Sequence, residues 1–87
     1  SMSAKTPFKI REFYAFLIYQ QKDYNTAESL YLTLIKEKPD LFVLHQTLAE
    51  IYDRSGRSQK AKNTIRSYQK KHNLKEAKSY YNELIAR

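Results

Sequence analysis

Few side chains in this 87-residue chain could perform catalysis or hold a metal ion. The chain has two His residues, His45 and His72, no Cys, and nine scattered Asp and Glu residues. His45 has no second His and no Asp four residues further on, so the helical spacing that supports a metal site is missing. We interpret His45 as a half-buried packing residue and His72, beside Lys70 and Lys71, as a solvated one. The sequence therefore predicts no catalytic residue, no metal site, no cofactor and no enzyme activity.

The basic side chains form a second group, because a row of them could neutralise the phosphates of a nucleic acid. Residues 45–87 hold 10 of the 16 Lys and Arg residues and only 4 of the 9 Asp and Glu, so they carry most of the net charge of +7. The expected face for an anionic partner comprises Arg57, Lys60, Lys62, Arg66, Lys70, Lys71, Lys75 and Lys78. No aromatic side chain stands in this row to stack on bases. Nucleic acid, an acidic protein surface and an anionic membrane face are therefore alternative partners.

Length and composition favour a single small α-helical domain. One Gly, two Pro and no Cys exclude disulfide scaffolds, Gly-rich phosphate loops and most folds rich in β-turns. The uncharged apolar run at residues 13–19 is far shorter than the ~20 residues of a membrane span, and the N-terminus lacks a secretory pattern. We expect a cytoplasmic protein without a membrane span. Residues 1–7 are interpreted as a lead-in with a scar of tag removal, since Ser1 precedes Met2.

Apolar residues at helical spacing predict five α-helices, the first running from about Phe8 to Gln20. The expected N-caps, in chain order, are Thr6, Asn25, Asp40, Ser58 and Asn73. Pro39 is expected to follow the end of the second helix, and Gly56 to supply a left-handed residue after the third. Connections of about three to five residues require consecutive helices to pack antiparallel.

The sequence also aligns with itself at the offset that places Ala27 on Ala61. At this offset small residues align with small ones and large residues with large ones. We call this offset the repeat shift. With it the chain resembles the tetratricopeptide repeat family. A unit of that family has a small residue in its first helix, an Ala early in its second, an aromatic residue four positions later and a closing Pro. The matching residues are Ala15, Ala27, Tyr31 and Pro39 in the first unit and Ala49, Ala61, Ile65 and Asn73 in the second. The family's Trp is replaced by Arg11 and His45, and its Gly by Ala15 and Ala49.

The resemblance implies an all-α fold of five helices, in which antiparallel helix hairpins stack as a short right-handed α-α superhelix. Residues 8–41 would form the first repeat, residues 42–73 the second, and residues 74–87 a C-terminal capping helix that covers the last hairpin. The expected core residues are Tyr14, Ala15, Leu17, Ala27, Tyr31, Leu34, Leu48, Ala49, Tyr52, Ala61, Ile65 and Tyr68.

In this family the first helices of successive units line a concave groove that holds a peptide. The groove residues that the alignment implies are Lys9, Glu12, Phe16, Tyr19, Gln20, Val43, Gln46, Glu50 and Asp53. Phe16 and Tyr19 would form an exposed aromatic pair, and Glu50 and Asp53 would place two carboxylates further along, a surface suited to an apolar peptide with a basic flank. Equally, the two aromatic side chains could cover the edge of their own hairpin.

Members that grip the acidic tails of chaperones need Lys and Asn at places that hold Glu12, Phe16 and Thr47 here, so this carboxylate clamp is absent. We therefore expect a non-catalytic scaffold or adaptor that binds another protein or a peptide. The alternatives are an anion-binding basic face, a structural part of a longer repeat array, and a homodimerisation module.

Overall fold

A computed structural model describes residues 5–87 and contains five α-helices: α1 (Phe8–Gln20), α2 (Tyr24–Glu37), α3 (Phe42–Arg54), α4 (Ser58–His72) and α5 (Lys75–Ala86). Within that range there is no β-strand. The prediction of an all-α fold with five helices is confirmed. The predicted lead-in falls partly outside the described residues.

None of the five predicted N-caps matches the structure, although the five helices do. The side chain of Asp23, not Asn25, caps α2 by accepting a hydrogen bond of 3.3 Å from the backbone N–H of Thr26. The N-terminal flanking residues of the other four helices are Pro7, Leu41, Arg57 and Leu74, and none makes a side-chain capping bond. The local pattern of Ser, Asn and Asp therefore located the connections but not the capping residues.

Asn73 closes α4 rather than opening α5. Its backbone is left-handed, with φ of 46°, a conformation that Asn tolerates better than most residues. Its side-chain oxygen accepts a hydrogen bond of 3.2 Å from the amide of Gln69, one turn earlier in α4. With its side chain turned back onto α4, Asn73 does not act as the predicted N-cap of α5.

Each helix packs against the next one in the chain, and the contacts between their ends show that neighbours are antiparallel. At the start of α1, the Arg11 guanidinium lies 2.8 Å from a carboxylate oxygen of Glu37, at the end of α2. Near the end of α4, the Tyr68 hydroxyl donates to the backbone carbonyl of Asp40, just before α3, at 2.7 Å. The Cα positions span 37 × 26 × 14 Å, a flat arrangement about two helix layers thick.

The core follows the predicted small and large positions with two exceptions. Ala15, Ala27, Ala49 and Ala61 are fully buried, as expected for sites where two helix backbones approach closely. Tyr14 and Leu17, by contrast, were predicted to be core residues and are 40% and 39% exposed. Both lie on the side of α1 opposite the buried Ala15, where no helix of the described chain covers them.

The two hairpins are also equivalent at the turn that joins their helices. Lys22 and Gly56, which the repeat shift aligns, both have a left-handed backbone, with φ of 67° and 83°. The N–H of Lys22 donates to the carbonyl of Tyr19 at 2.9 Å, and that of Gly56 to the carbonyl of Asp53 at 3.2 Å. The left-handed residue expected at Gly56 is confirmed, and the same backbone recurs at a Lys that sequence reasoning did not single out.

Replacing Ala27 or Ala61 by Leu is expected to destabilise the fold by roughly 1–3 kcal/mol, because both alanines are fully buried and a larger side chain would overpack the helix contact. Urea unfolding of each variant measures this loss. The exposed neighbour Ser29→Leu is the matched control and should stay within about 0.5 kcal/mol of the parent. Equal stability of Ala27→Leu and Ser29→Leu would contradict close helix packing at Ala27.

The paired turns give a second expectation. A Cβ at Gly56 would meet no atom within 4 Å, so Gly56→Ala should lose about 1 kcal/mol from its backbone conformation alone. The reverse exchange, Lys22→Gly, removes a strained side-chain-bearing residue and should gain about 0.5 kcal/mol after the entropy of Gly is counted. Thermal melts of both variants measure these changes in stability. A Gly56→Ala protein as stable as the parent would contradict the strain argument.

Candidate peptide-binding groove

A cavity of about 330 Å³ lies between α1 and α3, with α2 below it. The residues that line it are Lys9, Glu12, Phe13, Phe16, Tyr31, Val43 and Thr47. Tyr31 of α2 is buried and forms the floor, whereas the other lining residues come from the two flanking helices. We call this cavity the groove. Four predicted groove residues, Lys9, Glu12, Phe16 and Val43, are brought together here.

Five other predicted groove residues do not line the cavity: Tyr19, Gln20, Gln46, Glu50 and Asp53. Sequence reasoning missed Phe13, Tyr31 and Thr47. The repeat shift carries a usable signal for two of them, because Phe13 aligns with Thr47 and each lies one position beyond a predicted groove residue. Tyr31 was assigned to the core, which is correct for most of its ring but overlooks the face that it turns to the groove.

The rim of the groove is apolar and open to solvent. Phe13 is 63% exposed and Val43 51% exposed, and Phe16 is exposed beside them. The ring of Phe16 lies 5.9 Å from that of Tyr19, which in turn lies 6.2 Å from the ring of Tyr24 at the start of α2. The predicted aromatic pair is formed, but only Phe16 lines the groove. Tyr19 is half-buried and lies near Arg54 and Glu50 of α3 as well as Tyr24.

The carboxylates of Glu50 and Asp53 are occupied by α5 and its C-terminal flank instead of being available to a ligand. The guanidinium of Arg87 lies 2.8 Å from an oxygen of Asp53 and 3.1 Å from one of Glu50, and the Tyr80 hydroxyl donates to Glu50. Burial, and then the hydrogen bond to Glu50, raise the pKa of Tyr80 well above its usual value, so this hydroxyl stays protonated. The space between α3 and α5 that corresponds to the groove is therefore filled by polar contacts.

Glu12 is the acidic residue of the groove that is left without such a partner. It is half-buried, and no hydrogen bond or ion pair engages its carboxylate within residues 5–87. Burial raises the pKa of Tyr31 to about 12, and the nearby charge of Glu12 adds to this shift. The groove thus combines an apolar rim, a neutral tyrosine floor, the ammonium of Lys9 and one carboxylate that can accept hydrogen bonds.

The predicted basic face is not one surface. Arg57 turns toward α2, where its guanidinium lies 2.8 Å from a carboxylate oxygen of Glu28, and the Lys60 ammonium lies 5.0 Å from the ring centre of Tyr52. Lys71 lies on another side and lines a separate cavity. These contacts remove Arg57 and Lys60 from a common outward row.

On α4, Arg66 turns toward α5. Its guanidinium lies 5.4 Å from the ring centre of Tyr81 and donates to the Tyr81 hydroxyl. Lys62 and Lys70 share this side of the helix with Arg66 by their spacing of four residues. Lys75 and Lys78 are exposed on α5. The predicted basic residues therefore fall into at least three groups with different orientations.

A second cavity, of about 320 Å³, contains both histidines. The ring of Tyr68 lies 4.7 Å from that of His45 and stacks on that of His72 at 4.2 Å. His45 donates from Nε2 to the carbonyl of Pro39 at 2.7 Å, because a carbonyl only accepts. His45 is half-buried, as expected. His72 was predicted to be solvated and is instead half-buried against Tyr68, which precedes it by one helical turn.

Within residues 5–87, no three or more His, Asp and Glu side chains are placed to hold a metal ion. No helix in that part of the chain is long and apolar enough to cross a membrane.

Comparison of the chain with protein-family models, curated proteins and solved structures gives no match. The resemblance to tetratricopeptide repeats therefore depends on the residues of this chain alone, and functional reasoning depends on its groove and surfaces.

Stability is expected to fall as the pH drops below about 6.5, because burial holds the pKa of His45 below its usual value of 6.5. The unfolded chain then binds a proton that the native chain resists. The contribution of neutral His45 to stability is fully present above the pKa that His45 has in the unfolded chain. It is lost as the pH falls toward the lower pKa that His45 has in the native protein. The opposing ion pair between His72 and Asp40 is weak, since the side chain of Asp40 is 82% exposed.

Urea midpoints at pH 7.5 and 5.5 measure this effect in the parent and in His45→Gln, which keeps a donor for the carbonyl of Pro39. The variant keeps every Asp and Glu of the parent, so their titration affects both proteins alike. Because it lacks the titrating imidazole of His45, the variant should lose less stability than the parent between the two pH values. An equal loss in both proteins would rule out His45 as the cause.

Proposed function

We propose that this chain is a non-catalytic protein-interaction module that binds a segment of another protein in the groove. The observation that carries the proposal is the apolar rim of Phe13, Phe16 and Val43 above the buried ring of Tyr31. Aromatic side chains left in water next to a cavity favour a partner that covers them. The groove serves as a preformed surface, and no bond is made or broken in the partner.

The size of the groove limits what binds in it. Ligand pockets usually measure ~300–1,000 Å³, so a cavity of about 330 Å³ is small for a whole cofactor and suits one or two side chains. A Leu, Met or Phe side chain of a peptide would lie between Phe16 and Val43 and would contact the Tyr31 ring below. The affinity would come mainly from the apolar area that these aromatic rings lose to solvent.

The charges around the groove sharpen the expected ligand. Because Arg87 already pairs with Glu50 and Asp53, the carboxylate that meets a basic group of the ligand is Glu12. We therefore expect a Lys or Arg close to the apolar anchor residue rather than a longer basic flank. Acidic tails are disfavoured, since Glu12, Phe16 and Thr47 stand where a carboxylate clamp needs Lys and Asn.

We also propose that the two hairpins stack as tetratricopeptide repeats do. The fully buried alanines and the equivalent left-handed turns at Lys22 and Gly56 support this arrangement. In such a stack the first helices of both units face the same side, which agrees with a groove lined from α1 and α3. The right-handed superhelix is part of the same proposal.

The test is selection of short peptides from a displayed random library on the immobilised protein. We expect enrichment of peptides with one large apolar residue near a Lys or Arg. Phe16→Ala should weaken their binding at least tenfold and Glu12→Gln several-fold. Leu32→Ala is the matched control, since Leu32 is similarly exposed on α2 outside the groove, and it should bind like the parent.

Melting curves of the three variants should match the parent, because all three residues are partly or largely exposed. Peptides that bind Phe16→Ala as tightly as the parent would place the site elsewhere, and enrichment of acidic peptides would contradict the role of Glu12. A labelled single strand of DNA is titrated in parallel at two salt concentrations. Tight, salt-sensitive binding of this strand, with no peptide enriched, would replace the proposal by the basic-face alternative.

A further inference from the structure

A second apolar surface lies on α1, on the side facing away from Ala15 and from the rest of the domain. It consists of Ile10, Phe13, Tyr14 and Leu17, at the spacing of one helix face, and Ile10 is 53% exposed. Phe13 also lies on the rim of the groove, whereas the other three do not line it. A helix face of this kind is normally buried, because leaving contiguous large apolar side chains in water is unfavourable.

The chain itself shows what covers such a face. Under the repeat shift, Ile10, Tyr14 and Leu17 correspond to Leu44, Leu48 and Ile51 of α3. All three α3 residues are buried. They lie on the side of α3 away from Phe42 and His45, whose rings contact Tyr68 of α4, and the other helix that packs against α3 is the one before it, α2.

The last helix repeats the arrangement. At a slightly shorter shift, Ala77, Tyr81 and Leu84 correspond to Leu44, Leu48 and Ile51. Ala77 and Leu84 are buried and Tyr81 is half-buried on α5, which packs against α4. Of the three helices that carry this apolar face, α1 is therefore the one for which the described chain supplies no preceding helix.

We infer that Ile10, Phe13, Tyr14 and Leu17 form a docking surface for an amphipathic helix with the side-chain pattern of α2 and α4. These two covering helices share a small residue followed by large ones four and seven positions later. The residues are Ala27, Tyr31 and Leu34 in α2 and Ala61, Ile65 and Tyr68 in α4, and all are buried. A helix with this pattern would approach α1 closely at its small residue and fill the space beside Tyr14 with its large ones.

A second copy of the chain does not fit this surface. In each copy the matching faces of α2 and α4 are covered by α3 and α5, and the exposed large side chains of α5 are polar or charged except Ile85. Among the described residues, the other exposed large apolar side chains outside the groove are Leu32, Leu41 and Ile85, which lie on three different elements, so α1 against α1 is the most apolar contact that two copies can make. Such a contact would bury on the order of 400 Å² per copy, below the ~600–1,000 Å² per partner of stable interfaces.

The surface is tested by giving α1 the helix that it lacks. Residues 23–41, which contain α2 and its connection, are joined directly ahead of Phe8 in place of residues 1–7. The added helix then precedes α1 as α2 precedes α3, since the repeat shift aligns Phe8 with Phe42. We expect the melting temperature to rise by about 5–10 °C. In the control fusion, the added copies of Leu30, Tyr31 and Leu34 are changed to Gln, and no rise is expected.

Ile10→Gln separates docking from a general effect of the extension. Ile10 is largely exposed in the parent, so the substitution should leave its melting temperature nearly unchanged, but it should abolish most of the gain in the fusion. Equal melting temperatures of the fusion and its control would overturn the inference. Sedimentation of the unextended chain is expected to give a monomer; a dimer that Ile10→Gln dissociates would assign the surface to a second copy and also overturn it.

The outcome is independent of the proposed function. Ile10 does not line the groove, so in the unextended chain, to which no helix has been added, peptide binding by Ile10→Gln should match that of the parent.

Discussion

Close approach of helix backbones at buried alanines is the constraint on which this structure depends. Ala15, Ala27, Ala49, Ala61 and Ala77 are fully buried, one in each helix. A small residue at a crossing lets two helix axes approach to about 8 Å, and large neighbours such as Tyr31 and Ile65 then fill the space beside the contact. Each hairpin is thereby thin, and the Cα positions measure only 14 Å across the shortest dimension. A fold this thin has little interior, so the large side chains that do not reach it remain at the surface.

The groove is open because the interior is small and because the side chains between α1 and α3 differ from those between α3 and α5. Between α3 and α5 the space is occupied, because Tyr80 reaches Glu50 and its ring lies 6.4 Å from that of Phe42. Between α1 and α3, the residue of α3 that corresponds to Tyr80 of α5 is Thr47. Its side chain is too short to reach the preceding odd-numbered helix, α1, and its hydroxyl donates to the backbone carbonyl of Val43 at 3.0 Å. The open cavity above Tyr31 is thus the consequence of a small side chain where the next pair of helices has a tyrosine.

The sequence was sufficient for the helices and for most of the core, because helical periodicity and the repeat shift depend on residues that are close in the chain or equivalent between hairpins. It was insufficient for features that depend on the conformation of one backbone residue or on a contact with a residue distant in the chain. The C-cap at Asn73 required knowing that its backbone is left-handed, and the N-cap at Asp23 required knowing that α2 begins at Tyr24. The loss of Glu50 and Asp53 from the groove required a contact with Arg87, which is distant in the chain and follows the helix whose register fits the repeat least well. Tyr14 and Leu17 had the pattern of core residues, but they lie on a side of α1 that none of the described helices covers, which the local pattern does not reveal.

The two apolar surfaces of α1 are linked through Phe13. Its ring lines the groove and also belongs to the docking surface, and at 63% exposure it is the least buried aromatic ring of the two surfaces. A helix docked on Ile10 and Tyr14 would restrict the rotamers of Phe13 and so fix the shape of the groove rim before a ligand arrives. Ordering this ring in advance lowers the entropic cost of ligand binding, which couples the two sites with a favourable sign. By reciprocity a ligand in the groove would strengthen helix docking by the same factor, so the two surfaces would act together through the one residue that they share.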